Sequence, residues 1–391
     1  MVLPLIKEVD SILKFAKKAF TKGSFRLVTQ YVNGLIALAK KTVNKISEAS
    51  SEIKYQSALN RVLTESKFEE EYLRKRYLEK IKYLFKNMQV YLIIDDTLVE
   101  RNGPTIEEAQ KHFDHNSNSF INGHQFFTAL LYTPFLQLPI FPELYSKNTD
   151  SKIEMAQSLI DSLESASIKL HTVLFDSWYS EQELIKKIRT NARVICAIKT
   201  NRIIKLQGEN SWRTLSFISD RINSQTLSKT IIDKNTYETW SSIVDLNHIS
   251  SIKLIISQEK DKDGELIGKA HLISTNIKDS VEEIIRTYKL RWKIETYHRD
   301  IKQNLGFATV FFAKREGIVR HAIFASMTYA ILSLFMFRKE ISMTIGECCT
   351  YLKDKSTTIL VREIVEIENK PERLERFEEV FYKQKSATLD N

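Results

Sequence analysis

A mixed α/β fold is predicted for the chain, with helices before residue 88, a strand-rich centre and a charged helical tail. Three observations carry that prediction. Apolar residues up to Phe85 recur with the helical period, whereas β-rich apolar runs begin at Gln89. Two of those runs, Val90 to Ile94 and Thr172 to Phe175, are each followed directly by aspartate. A late helical stretch carries a polar stripe opposite an apolar one.

The elements are justified in order. Ile12, Phe15, Ala19 and Phe20 form a helical face, and Thr21-Lys22-Gly23 breaks it. Leu27 to Leu38 and Tyr72 to Phe85 repeat the spacing. Gln89 to Ile94 predicts a strand ending in Asp95-Asp96-Thr97. Gly123 to Tyr132 predicts a second strand and Pro134 to Tyr145 a short third. Ile153 to Ile168 is amphipathic and reads as a helix. Leu170 to Phe175 reads as a strand ending at Asp176. Ser180 to Thr190 reads as a helix, with Ser180 and Glu183 spaced as a capping box. Arg193 to Ile198 is a further strand.

Three strands, helix, strand, helix, strand is the order of a ribonuclease H-like core. Residues 201–269 are β-rich and turn-rich, with Asp263-Gly264 a hairpin signal. His271 to Thr275 predicts a final strand. One helix is predicted from Ser280 to Asn304, stopped by Gly306, and an apolar helix from Gly317 to Phe337. The expected division is a basic helical domain over 1–87, the core over 88–338 and a helical region over 339–391.

Composition narrows the function classes. At 391 residues and 43% hydrophobic content the chain holds ample core. Cys196, Cys348 and Cys349 have no paired spacing, which argues against a disulfide scaffold or a zinc site. No charged-then-apolar leader pattern opens the chain. No apolar run reaches about 18 residues, so no membrane partner and a cytoplasmic location are expected. No glycine-rich phosphate loop occurs. His112 and His115 are expected on a solvated loop.

The net charge of +9 is uneven: residues 1–88 hold 18 Lys and Arg against 9 acids, and the rest hold 40 of each. From Ser11 to Lys45 there are eight cations and no acid, among them Lys14, Lys17, Lys18 and Lys41. Such a segment attracts a polyanion through counterion release, so DNA or RNA contact is expected there.

The chemistry concentrates in the predicted helix over Ser280 to Asn304. Tyr288, Arg291, Glu295 and Lys302 lie on one stripe about 60° wide, opposite Leu290, Ile294, Tyr297 and Ile301. Arg299 and Trp292 border the stripe. Arg291 and Lys302 are placed to hold phosphates beside Glu295. Carboxylates at strand ends line the crevice of an open α/β sheet, which adds Asp95 or Asp96 and Asp176. Acids beside apolar runs need a counter-charge. Three carboxylates suit Mg²⁺, and two such ions can activate an attacking oxygen and stabilise a leaving one.

Tyr288-x2-Arg291-x3-Glu295-x6-Lys302 resembles the Tyr-Arg-Glu-Lys signature of bacterial DDE transposases of insertion-sequence family four. Ile94-Asp95-Asp96-Thr97 and Phe175-Asp176-Ser177-Trp178-Tyr179 resemble that family's two aspartate motifs. The likeness runs from about Met88 to Phe312.

The resemblance implies a ribonuclease H-like core with a β-rich insertion before the glutamate. It implies a metal-binding triad of Asp96, Asp176 and Glu295, with Asp95 as the alternative to Asp96. Asp96 is preferred because it directly precedes Thr97, whereas other members place the acid one residue further away. The implied cofactor is Mg²⁺, as two ions, with Mn²⁺ as a substitute. The implied reaction is cleavage at transposon ends and strand transfer, often through a DNA hairpin. Tyr288, Arg291, Lys302, Arg299 and Trp292 would contact DNA, and Trp212 or Trp240 of the insertion could stack on a flipped base. Lys14, Lys17 and Lys18 would bind the terminal inverted repeats. Target DNA, a homodimer in the synaptic complex and a nucleoid-associated location complete the expectation.

Overall fold

The computed structural model describes residues 6–50, 55–101, 103, 105–114, 118–222, 224–233, 235–261, 265–309 and 311–381. Helices open the chain. α1 (Lys7–Leu13) runs into a 3-10 turn over Lys14–Ala19, and α2 (Lys22–Ala37) follows. The predicted break at Thr21 is a new helix start: its hydroxyl accepts from the Ser24 amide at 3.2 Å. α3 (Val43–Ala49) and α4 (Gln56–Thr64) were not visible in the apolar spacing, and α5 (Glu70–Ile81) was.

β1 (Tyr91–Glu100) runs well beyond the apolar stretch that predicted it. It pairs antiparallel with β3 (Ser119–Tyr132) from Tyr91 opposite Tyr132 to Glu100 opposite Gly123. Asp95 and Asp96 therefore lie inside a strand and not at its end, because the ladder to β3 continues past them. Gly123 permits that approach; a Cβ there would collide with the Val99 carbonyl oxygen. β2 (Gln110–Asp114) pairs with the start of β3. His112, expected on a solvated loop, is thus a buried strand residue, while His115 lies outside the described residues.

β4 (Gln137–Tyr145) pairs with β3 on its other side. α6 (Lys152–Ser165) starts in a capping box formed by Ser151 and Glu154. β5 (Thr172–Phe175) lies parallel to β1, α7 (Gln182–Arg189) crosses back, and β6 (Arg193–Ala197) lies parallel to β5. The resulting order β4-β3-β1-β5-β6 is that of the predicted ribonuclease H-like core. The cap of α7 differs from expectation. The helix starts later, so Glu181 accepts from the Glu183 and Leu184 amides, and Ser180 donates to the Ser177 carbonyl.

The β-rich stretch comprises β7 (Ile203–Leu206), β8 (Arg213–Thr214), α8 (Leu215–Ser219), β9 (Ser228–Ile232), β10 (Asn235–Leu246), β11 (Ile249–Lys260) and β12 (Leu266–Ser274). The predicted final strand is the end of β12, which pairs antiparallel with β6. The stretch consequently continues the core sheet as β6-β12-β11-β10. Asp263 and Gly264 lie outside the described residues.

α9 (Val281–Lys289) and α10 (Trp292–Asn304) replace the single helix predicted over Ser280 to Asn304. Between them the bonding tightens: the Leu290 amide donates to Thr287 O and the Arg291 amide to Tyr288 O, at 3.0 and 2.9 Å. Gly306 ends α10 with φ +75°, and a Cβ there would meet Lys41 Cβ at 2.9 Å.

α11 (Arg315–Lys339), α12 (Ile345–Val365) and α13 (Lys370–Phe381) complete the described chain. α11 corrects the expectation that no segment is long and apolar enough to span a membrane. Its most apolar window is 94% buried, as a core helix would be. One apolar core runs from Ile6 to Leu352, so the N-terminal helices and α12 share it with the sheet. Tyr31 of α2 bonds His321 Nδ1 of α11 at 2.8 Å, and His321 Nε2 lies 3.0 Å from the Gly306 carbonyl oxygen. The N-terminal helices thereby brace the turn that ends α10.

Candidate active site

Strand alternation separates the two neighbouring aspartates of β1. Asp95 is opposite Thr128, and side chains so paired share a face. Thr128 Oγ1 lies 2.7 Å from His298 Nε2 of α10 and donates to the Asp95 carbonyl at 2.9 Å. Asp95 therefore faces α10. Asp96 faces α6, where Lys152 Nζ lies 2.9 Å from its Oδ2. Gln125 Nε2 also donates to Asp96, and the Tyr179 hydroxyl donates to it at 3.4 Å.

β1 and β5 are in parallel register at Ile93 and Leu174. Asp95 and Asp176 each lie two residues beyond that pair, Asp176 just past the end of β5. Asp176 caps its own turn by accepting from the Trp178 amide at 2.9 Å. Glu295 sits in the first turn of α10. Arg291 Nη2 donates to Glu295 at 2.6 Å, and its Nη1 lies 3.3 Å from Asp95 Oδ2. One guanidinium thus bridges the strand acid and the helix acid.

Asp95, Asp96, Asp176 and Glu295 line one cleft of about 930 Å³. Lys111, Lys147, Lys152, Lys199 and Lys302 line it too. Burial, reinforced by Asp96 and Asp176, raises the Asp95 carboxyl to about 7. Burial, with Lys302 and Arg291 nearby, pushes the His298 imidazole down to about 3, so it is neutral. Burial likewise pushes the Tyr288 hydroxyl up.

The donors are all carboxylate oxygens, and their crowding calls for positive charge, so the residue types fit a hard divalent cation. Among the described residues, no group of three or more His, Cys, Asp or Glu is gathered as closely as a metal site requires. The positive charge at the acids comes from Arg291 and Lys152.

The expected contact residues are partly brought together. Trp292 is exposed and lines the cleft, and Lys302 lines it while donating to the Leu98 carbonyl at 3.0 Å. Tyr288 and Arg291 lie behind the lining, with the guanidinium 6.0 Å from the Tyr288 ring. Arg299 is exposed outside the lining, as are Lys14, Lys17 and Lys18. Lys41, counted in the basic segment, is buried and donates to the Leu38 carbonyl at 2.5 Å. Trp212 and Trp240 are absent from the lining.

Several residues escaped sequence reasoning. Lys152 is nearly buried, held between the Trp178 and Tyr145 rings at 4.6 and 5.2 Å. Its only signal was its place just after the Ser151 cap. His298 was also missed, although its i+3 spacing from Glu295 on one helix is a signal that could have found it. Thr128 and Gln125 carried no signal, because strand pairing alone brings them to the aspartates.

Comparison with known proteins finds two family models and a named relative. The family model described as the transposase DDE domain matches residues 87–331. Another, described as DDE superfamily endonuclease, matches residues 17–152. A protein of Microchaete diplosiphon named as a probable transposase for insertion sequence element IS701 is 27% identical over 216 residues. The match covers 52% of this chain and 57% of that relative's length. With the greater part of the chain matched by the first of these models, the protein belongs to the transposase DDE domain family.

Proposed function

We propose that the protein is a cut-and-paste DNA transposase of the insertion-sequence family four type, with Tyr288, Arg291, Glu295 and Lys302 as its signature. Its reaction is metal-dependent cleavage at transposon ends followed by strand transfer into target DNA. The observation that carries this reading is that Asp95, Asp176 and Glu295 border one lysine-lined cleft.

Asp95, Asp176 and Glu295 are proposed as the acids that hold the metal. Asp95 is favoured over Asp96 because it shares a face with α10 and a guanidinium with Glu295. Asp96, held by Lys152, orders the opposite wall. Bound Mg²⁺ or Mn²⁺ would activate the attacking oxygen and neutralise the leaving one. Lys302 and Lys199 hold the phosphates flanking the scissile bond. On this reading Arg291 releases Asp95 and Glu295 and turns to the DNA phosphate. His298 is neutral and fixes α10 over β1 through Thr128.

Residues 1–87 are proposed to bind the terminal inverted repeats, 88–338 to carry the chemistry with 201–269 as the insertion, and 339–391 to help pair protomers as a homodimer. The runner-up is a nuclease of the same core that cuts without joining. Incubation with a DNA segment bearing the element's own ends, Mg²⁺ and a target plasmid separates them. Joined products support transposition; free cut ends alone support the nuclease; no cut at all overturns both.

A further inference from the structure

The hairpin of β2 and β3 presents an aromatic pair at the mouth of the same cleft. Phe113 and Phe120 are directly opposed across the two strands. Their rings meet edge to face, with centroids 5.4 Å apart. Phe120 is 72% exposed and Phe113 42%. Both line the cleft that holds the acids, together with Lys111 and Lys147. Lys147 Nζ donates to the Lys111 carbonyl at 2.6 Å, which fixes one cation beside the pair.

Single exposed aromatics need no explanation, but a pair set among lysines on the rim of an acidic site does. Aromatic faces beside backbone-binding cations are the chemistry that receives unstacked bases. The cations exclude a purely apolar partner, and the ring faces offer more than phosphate alone can use. Trp212 and Trp240 of the insertion are stacking candidates by the resemblance alone. Trp212, exposed beside Lys205 at 5.3 Å, and Trp240, packed against the core, do not line this cleft.

Resting on the transposase reading, we propose that Phe113 and Phe120 form a stacking platform for an unpaired nucleobase of the DNA end. With the base held there, the adjoining backbone runs over Lys111 and Lys147 toward Asp95 and Glu295. The platform selects DNA ends that have opened.

The test compares binding of the full chain, in EDTA, to a blunt duplex carrying the element's own terminal repeat and to the same duplex ending in unpaired thymines. The wild type is expected to bind the splayed end roughly tenfold more tightly, the scale of one stacked base. Phe120→Ala should lose that preference while binding the blunt duplex as before, and Phe120→Trp should keep it. An undiminished preference in Phe120→Ala overturns the platform, as does a wild type without preference. Equal weakening on both duplexes in Phe120→Ala assigns the ring a structural role and also overturns it. A change in sedimentation of Phe120→Ala without DNA would assign the pair to a contact between copies, overturning it again. If the wild type binds neither duplex, the transposase reading itself fails.

Discussion

Arg291 lies 3.3 Å from Asp95 while holding Glu295 at 2.6 Å, and so occupies the space between the two acids. Removing it leaves carboxylates that repel. Arg291→Gln should lower the melting temperature without metal, raise Mn²⁺ affinity about tenfold and slow cleavage through lost phosphate positioning. Calorimetric titration with Mn²⁺ checks this. Unchanged or weaker Mn²⁺ binding would mean that the guanidinium does not compete with the ion.

Asp95 gives the metal-free protein a pH dependence. Its carboxyl is raised from 3.8 to about 7, so the folded state binds a proton more tightly than the unfolded chain. The stability it contributes is complete below about pH 4 and is lost as pH rises through about 7. The loss is on the order of a few kcal/mol. Asp95→Asn should flatten this fall and be the more stable protein at pH 8. Urea unfolding at pH 5 and pH 8 measures it; parallel slopes for both proteins would remove Asp95 as the source.

Gly123 is where β3 presses against β1 near Val99. Gly123→Ala should cost about 1–3 kcal/mol, because backbone and not a flexible side chain blocks the new methyl group. Wild-type stability would show that the two strands can part locally without cost.

Lys14, Lys17 and Lys18 are exposed on the 3-10 turn after α1. If they meet phosphates, neutralising them should reduce the slope of log affinity against log salt by about 0.9 per lysine. An unchanged slope places the N-terminal DNA contact elsewhere.

Much of this was legible before any coordinates. Apart from β2, the strand and helix order from Gln89 to Ile198 was readable because each apolar run had the right period and was followed by a turn or acid. Glu295 and Lys302 share α10 and line the cleft, in keeping with their helical spacing, whereas the turn at Leu290 and Arg291 puts Tyr288 on α9 and leaves Tyr288 and Arg291 behind the lining. That turn depends on tight backbone bonds which no side-chain pattern announces. β2 was missed because Gln110 to Asp114 is polar and gains its place by pairing with β3. The choice between Asp95 and Asp96 was closed to sequence for a related reason. Which face of β1 meets α10 is decided by tertiary packing, whereas adjacency to Thr97 says nothing about faces. Lys152 is a charge buried by its neighbours' rings, and burial is a property of the fold.

The most direct measurement is the rate of Mg²⁺-dependent cleavage of end-bearing DNA by Asp95→Asn, set beside Asp96→Asn. The account predicts that Asp95→Asn abolishes cutting while still binding DNA, and that Asp96→Asn retains measurable cutting. Active Asp95→Asn protein with dead Asp96→Asn protein would contradict it.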